Sequence, residues 1–242
     1  MATAAIHYSQ HLARVYVWMC GGAAAALQAG AAEIAALDLP GCPGALVADL
    51  GAGFGMHAIP LARSGARVLA IDSSPMLLGT LDELRGDLPV RCIEADLLSF
   101  RSHLTEAPGA ILCMGDTVTH LPELAAVESL VETAFSALPR GGVFVLTLRD
   151  YSVRLAGDCR FIPVRSDDAR ILTCFLEYTA DAVIVHDILH DRNPDGWHTR
   201  VSHYRKLRLP PARLINRLEA VGFDVRREAG VGGMVRLVAR KP

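Results

Sequence analysis

Residues 47–55 read V-A-D-L-G-A-G-F-G: an apolar run carrying Asp49, then Gly51, Gly53 and Gly55 at alternate positions. Glycines let a backbone turn sharply and approach a ligand closely, and a turn that opens a helix presents free N–H groups to it. About twenty residues on, the next apolar run, R-V-L-A-I, ends at Asp72, where a carboxylate can accept hydrogen bonds from both hydroxyls of an adenosine ribose. A third run is followed by Glu94-Ala95-Asp96-Leu97, and an acid there suits the exocyclic amine of adenine. Taken singly, Asp72 equally suits a cap on the helix opening at Ser73-Ser74-Pro75, and Asp96 a solvated turn. The three in register point to an adenosine-bearing cofactor. The spacing Gly51-x-Gly53-x-Gly55 departs from the G-x-G-x-x-G of dinucleotide binders.

These residues need strands to carry them. Short apolar runs at 46–50, 67–71, 90–94, 109–114 and 143–148 alternate with helix-period stretches at 56–64, 75–85 and 124–138, the pattern of a parallel sheet covered by helices. From Asp158 the texture changes to strand-like stretches at 160–164, 170–179, 182–190 and 198–209, with an N-P-D-G turn at 193–196 that reads as an antiparallel hairpin. A helix at 211–221 and strands at 224–228 and 234–239 follow. We expect one domain: a helical lid over 1–40, a cofactor-binding core over 41–150, antiparallel hairpins on the acceptor side over 151–210, and a closing helix and strands over 211–242.

The 242 residues are 51% hydrophobic and 21% charged, enough apolar content for a sizeable core. With 24 Lys+Arg against 26 Asp+Glu the chain lacks the basic surplus of a dedicated nucleic-acid binder, so no nucleic-acid partner is expected. Six scattered cysteines contain no C-x-x-C pair and suit reduced thiols in a cytoplasm. Residues 15–32 are uncharged, but glycines and Gln28 dilute the run and no basic flank precedes it, so neither a signal peptide nor a membrane partner is expected. His186, His190, His198 and His203 lie on separate predicted strands without a tight ligand pair, which argues against a metal.

The glycine spacing, with Asp49 before it and acids after the second and third strands, resembles the class I S-adenosylmethionine-dependent methyltransferases. Four further places are similar to the glycine N-methyltransferases and related small-molecule N-methyltransferases. C-M-G-D-T-V-T-H-L at 113–121 resembles a G-N-S-x-x-H-L segment, and T-L-R-D-Y at 147–151 an H-R-N-Y. A-R-V-Y-V-W-M-C-G at 13–21 resembles A-R-V-W-x-x-Y-x-G, and Ser202-His203-Tyr204 with Leu207 matches the closing strand region. The resemblance implies an α/β, Rossmann-like fold: a mostly parallel seven-stranded sheet with helices on both faces and inserted antiparallel hairpins.

It also implies S-adenosyl-L-methionine as cofactor and S-adenosyl-L-homocysteine as product. The cofactor would be held by Tyr8, Tyr16 and Trp18 of the lid, by Asp49, Gly51, Ala52 and Gly53, by Asp72, Ser73 and Met76, by Ala95, Asp96 and Leu97, and by Met114 and Gly115. Arg149 matches an arginine that holds an acceptor carboxylate, a task its forked donors suit. Asp116 stands where the family has an asparagine, which disfavours a second carboxylate there and turns the expectation away from glycine itself. His120 would orient the acceptor or take its proton, unless it serves only to begin a helix. Tyr16 and Met19 also form an ordinary i, i+3 apolar pair. The expected reaction is in-line methyl transfer to a nitrogen of a small molecule. Its rivals are N- or O-methylation of a heteroaromatic natural product, a nicotinamide-dependent reductase, and a cofactor-binding protein without turnover. Nothing in the sequence speaks to oligomeric state.

Overall fold

The structure, a computed structural model, describes residues 4–242. Its main sheet contains β1 (Leu46–Leu50), β2 (Arg67–Asp72), β3 (Val90–Glu94), β4 (Ala110–Cys113) and β5 (Val143–Leu148). A second, four-stranded sheet follows, built from β6 (Phe161–Ser166), β7 (Arg170–Tyr178), β8 (Ala182–Asn193) and β9 (Gly196–Leu207), before β10 (Asp224–Ala229) and β11 (Val235–Arg240) return to the first. The main sheet runs β10-β11-β5-β4-β1-β2-β3, and β11 alone runs antiparallel to its neighbours. The second sheet is antiparallel throughout. Seven strands with this order, plus a hairpin sheet between β5 and the closing helix, form a Rossmann-like class I architecture.

The helices are α1 (Ala4–His7), α2 (Ala13–Met19), α3 (Ala23–Ala35), α4 (Ala58–Arg63), α5 (Pro75–Arg85), α6 (Leu124–Ala137) and α7 (Pro211–Val221). Every residue of β1 is buried, because the sheet is covered on both faces. Its alternation divides the core: Leu46, Ala48 and Leu50 pack with α6 and α7, whereas Val47 packs with α3, α4 and α5. Ser74 caps α5 by accepting from the Leu77 N–H, and Pro75 fills its first turn, where a missing N–H is harmless. Between β3 and β4 the chain makes only a 3₁₀ helix, Leu97–His103, capped by Asp96.

The apolar run at 15–32 becomes two helices, α2 and α3, bent by 68°. Gly21 and Gly22 between them hold φ of +93° and +92°. Among the described residues no single helix is long and apolar enough to cross a membrane. Gly30 brings α3 against the turn after β1 so closely that a Cβ there would fall 1.8 Å from the Met56 carbonyl oxygen.

Candidate functional site

A cavity of about 650 Å³ opens at the carboxyl ends of β1, β2 and β4, the place where open α/β sheets bind ligands. Its floor is the glycine-rich turn. Gly51 holds φ of +76°, and a Cβ on it would strike Thr117 Cγ2 at 2.5 Å, so only glycine seats the turn beneath the segment after β4. The Gly51 and Ala52 N–H groups donate to the Ile71 carbonyl, while the Gly53 N–H donates to Asp72 Oδ2 at 2.7 Å. The other carboxylate oxygen of Asp72 accepts the Ser74 N–H at 2.8 Å. Asp72 thus both caps the next helix and braces the glycine turn, with lone pairs to spare toward the cavity. Burial raises its pKa, against the pull of these backbone bonds.

Around this floor stand Ser73, Ala95, Asp96 and Leu97 on one side and Met114 and Gly115 on another, with Tyr8 and Tyr16 above. The Tyr8 and Tyr16 rings lie 5.6 Å apart, and Tyr16 reaches an edge contact with Phe54. The cavity also takes Glu33, Phe54, Met56, His57 and Leu77, which sequence reasoning missed. Glu33 and His57 sit 3.5 Å apart, both nearly buried, and Asp49 behind them keeps Oδ2 without a partner among the described residues. The Glu33–His57 pair joins α3 to the turn before α4, and no local signal in the sequence announces it.

Burial pushes the Asp49 carboxyl up to about 6, the main cause, with His57 opposing it. A folded-state value above the unfolded one means the stabilisation is complete below the unfolded value of 3.8 and is lost as pH rises through about 6. Asp49→Asn removes that titration, so it should raise stability at neutral pH by up to about 3 kcal/mol and flatten the dependence of Tm on pH between about 4 and 7. Thermal melts across that range check it; an unchanged slope would place the titration elsewhere.

Four expected site residues are positioned differently, Asp49 among them: it is 1% exposed inside β1 and does not line the cavity. Met76 lies 42% exposed on the outside of α5, and the cavity takes Leu77 in its place because the helix turns that next residue inward. Trp18 points to the second sheet, where its indole N–H donates to Asp167, and it packs with Leu12, Leu172 and Leu189. Arg149 is exposed, donates to the Gly232 carbonyl at 3.0 Å, and does not line the cavity. Arg149 therefore does not form the expected carboxylate clamp.

Asp116 needs a similar correction. It adopts a left-handed φ of 70° just after β4, and its side chain turns away from the cavity. Oδ1 accepts the Arg149 N–H at 2.8 Å, and Oδ2 accepts both Tyr151 Oη at 3.1 Å and Lys206 Nζ at 2.6 Å. The carboxylate is 2% exposed and occupied by its own chain. Burial alone would lower the Lys206 pKa, but Asp116 outweighs it and the net direction is upward.

His120 does face the cavity, at the end of the 3₁₀ turn Thr117–His120. Its ring packs against those of Tyr8 and Tyr204, each with centroids 5.5 Å away, and those two rings also meet at 6.2 Å. Nε2 is buried with no partner among the described residues. Burial first, then the Lys206 charge, drives its pKa well below the usual value, so the ring is a neutral imidazole. Among the described residues no three His, Cys, Asp or Glu side chains group as metal ligands; His186 pairs with Glu177 and His190 with Thr199.

The residues present fit an adenosyl cofactor: a glycine cradle that a Cβ would fill, an acid at the end of β2, another after β3, and unpartnered buried polar atoms where a polar tail would lie. Comparison with known proteins agrees. Residues 47–142 match the methyltransferase-domain family. The glycine/sarcosine N-methyltransferase of Aphanothece halophytica is 29% identical over 111 residues, which cover 45% of this chain and 42% of that protein. The chain thus spans less than half the length of the curated relatives it matches. Among solved structures, Streptomyces venezuelae DesVI superposes with a TM-score of 0.78 at 21% identity, covering 95% of this chain and 98% of that one. CalS10 of Micromonospora echinaspora, an amino pentose methyltransferase, gives 0.76 at 18% identity over 95% and 96%. Over residues 47–142 the chain is thus similar to the methyltransferase-domain family, and its strand order and fold are those of the solved class I methyltransferases.

Proposed function

We propose that the chain transfers a methyl group from S-adenosylmethionine to a nitrogen of a small molecule carrying its amine on a framework larger than glycine. The observation that carries this reading is the neutral, unpartnered imidazole of His120 facing the same cavity as the glycine turn. When bound, the cofactor supplies a methyl group activated on a sulfonium. Gly51, Gly53, Asp72 and Asp96 would hold the adenosyl part, while Glu33 and His57 would meet its polar tail. Tyr8 and Tyr16 close over the turn and exclude water, which strengthens every polar contact beneath them. Nε2 of His120 would accept a hydrogen bond from the N–H of the neutral acceptor amine, aim its lone pair at the methyl carbon, and receive the proton the nitrogen sheds as the N–C bond forms and the S–C bond breaks; the remaining catalysis is positioning.

The acceptor class follows from what the cavity lacks. Its lining arginine, Arg205, is committed to Asp181 and the Pro122 carbonyl, and Arg149 stands outside. A free amino acid would find no guanidinium for its carboxylate, whereas Tyr8, Leu121, Pro122 and Met234 offer an apolar surface to a ring. The amino pentose named for CalS10 and the glycine or sarcosine named for the curated relative bracket the choice, and the cavity favours the former kind.

Transfer of labelled methyl groups into a cell extract, split into small-molecule and macromolecular fractions, tests the reading. Label in amines of the small-molecule fraction supports it, and label confined to macromolecules overturns the acceptor class. His120→Phe should lower kcat about a hundredfold while leaving affinity for S-adenosylhomocysteine within about twofold. Because the imidazole is already neutral, the parent's kcat should stay level from about pH 8 down to about 6.5, and a rate falling through that range would give the proton to another group.

A further inference from the structure

Strand β8 sends Val183, Val185, Asp187 and Leu189 to the buried side of the second sheet, so one carboxylate stands in an otherwise apolar row. Its register partner on β9 is Ser202. The side chain that satisfies both comes from the other end of the chain. His7 of α1 places Nε2 2.7 Å from Asp187 Oδ2 and Nδ1 2.8 Å from Ser202 Oγ. The Cys174 thiol donates to the remaining oxygen of Asp187 at 2.8 Å. His7 is 1% exposed and Asp187 2%, and neither lines the cavity.

An apolar residue would dock a four-residue helix without burying a carboxylate, so the polar pair is there to fix a geometry. What it fixes is visible in the rings. His7 stacks on Tyr204 at 4.2 Å and 29°, the Tyr204 ring meets His120 at 5.5 Å, and Tyr8, the next residue along, meets His120 from the lid side. Tyr8 also begins a π-helical turn, Tyr8–Leu12, a rare element frequent at functional sites. The same lid lies directly over the glycine turn: the atom nearest a Cβ on Gly53 is Tyr16 Cε1, at 3.9 Å.

We propose that His7 is a positioning residue: by fastening the N-terminal lid to Asp187 and Ser202 it holds Tyr8 and Tyr204 against His120 and sets the rate at which the cofactor product leaves. This inference rests on the methyl-transfer reading above, which supplies the product.

The test is stopped-flow release of S-adenosylhomocysteine from the full chain and from His7→Phe, which keeps the stack and loses both hydrogen bonds. Release should quicken about tenfold or more in His7→Phe and a few-fold in Ser202→Ala, as expected for the loss of two bonds and of one. The double variant His7→Phe/Asp187→Asn should release no faster than His7→Phe, because the two substitutions break the same contact. A merely structural role would lower Tm and leave release unchanged. Release at the parental rate from a folded His7→Phe overturns the proposal. If His7→Phe does not fold, Ser202→Ala and Asp187→Asn carry the same comparison, and parental rates in both overturn it equally. Failure of the parent chain to bind S-adenosylhomocysteine at all would instead overturn the methyl-transfer reading beneath it.

Discussion

Asp72→Ala should bind S-adenosylhomocysteine about a thousandfold more weakly than the parent chain, a loss of about 4 kcal/mol. Two effects add. The carboxylate is the group offered to the ribose hydroxyls, and charge-assisted hydrogen bonds are worth about 1.5–3 kcal/mol each. It also accepts the Gly53 and Ser74 N–H groups, so its removal leaves the glycine turn without its brace. Asp72→Asn separates the two: the amide oxygen still accepts from Gly53, but its NH₂ group faces the Ser74 N–H, donor against donor. Asn should therefore fall between the parent and Ala in affinity. Calorimetric titration at one salt concentration, with Tm followed in parallel, reads this directly. If Asp72→Ala binds as tightly as the parent, the cofactor assignment is wrong.

That prediction stands on a part of the molecule that could be read without a structure. The glycine spacing, Asp49, Asp72 and Asp96 lie within one β-α-β-α-β stretch, where local rules of turns, caps and strand alternation decide both fold and site together. The hairpins after β5 were legible for a related reason: a period of two and an N-P-D-G turn are local signals. Asp116 and Arg149 were not, although their motifs were recognised. A left-handed residue after β4 rotates the Asp116 carboxylate toward the Arg149 N–H, and nothing in C-M-G-D-T announces that rotation. The partners that decide its role, Tyr151 and Lys206, come from positions 35 and 90 residues away. His7 meeting Asp187 across 180 residues is the extreme case. Its only sequence signal was an acid at a core-facing position of β8, readable once the register was known.

Lys206→Met should destabilise the chain by about 3–5 kcal/mol, because it leaves the Asp116 carboxylate buried without its counter-charge. The lysine carbons are replaced by a side chain of similar length, so packing changes little and the loss is electrostatic. Adding Asp116→Asn in the same chain should recover most of it, since a neutral amide still accepts the Arg149 N–H and asparagine tolerates the left-handed backbone found there. Denaturant midpoints of the two single variants and the double one, at constant m, measure the coupling. A loss below about 1 kcal/mol in Lys206→Met, with no recovery in the double variant, would mean the pair is not stabilising. The pH dependence has a definite sign. Asp116 holds the Lys206 pKa above its ordinary value of 10.5, so the pair's contribution is complete below that value and fades as pH rises beyond it. The parent chain should accordingly lose this stabilisation only in strong alkali, and the double variant should lack that alkaline limb. The same ammonium is the second cause, after burial, that keeps His120 neutral. Its removal should raise the pH at which His120→Phe-sensitive turnover begins to fall, which ties the buried pair to the reaction and not to the fold alone.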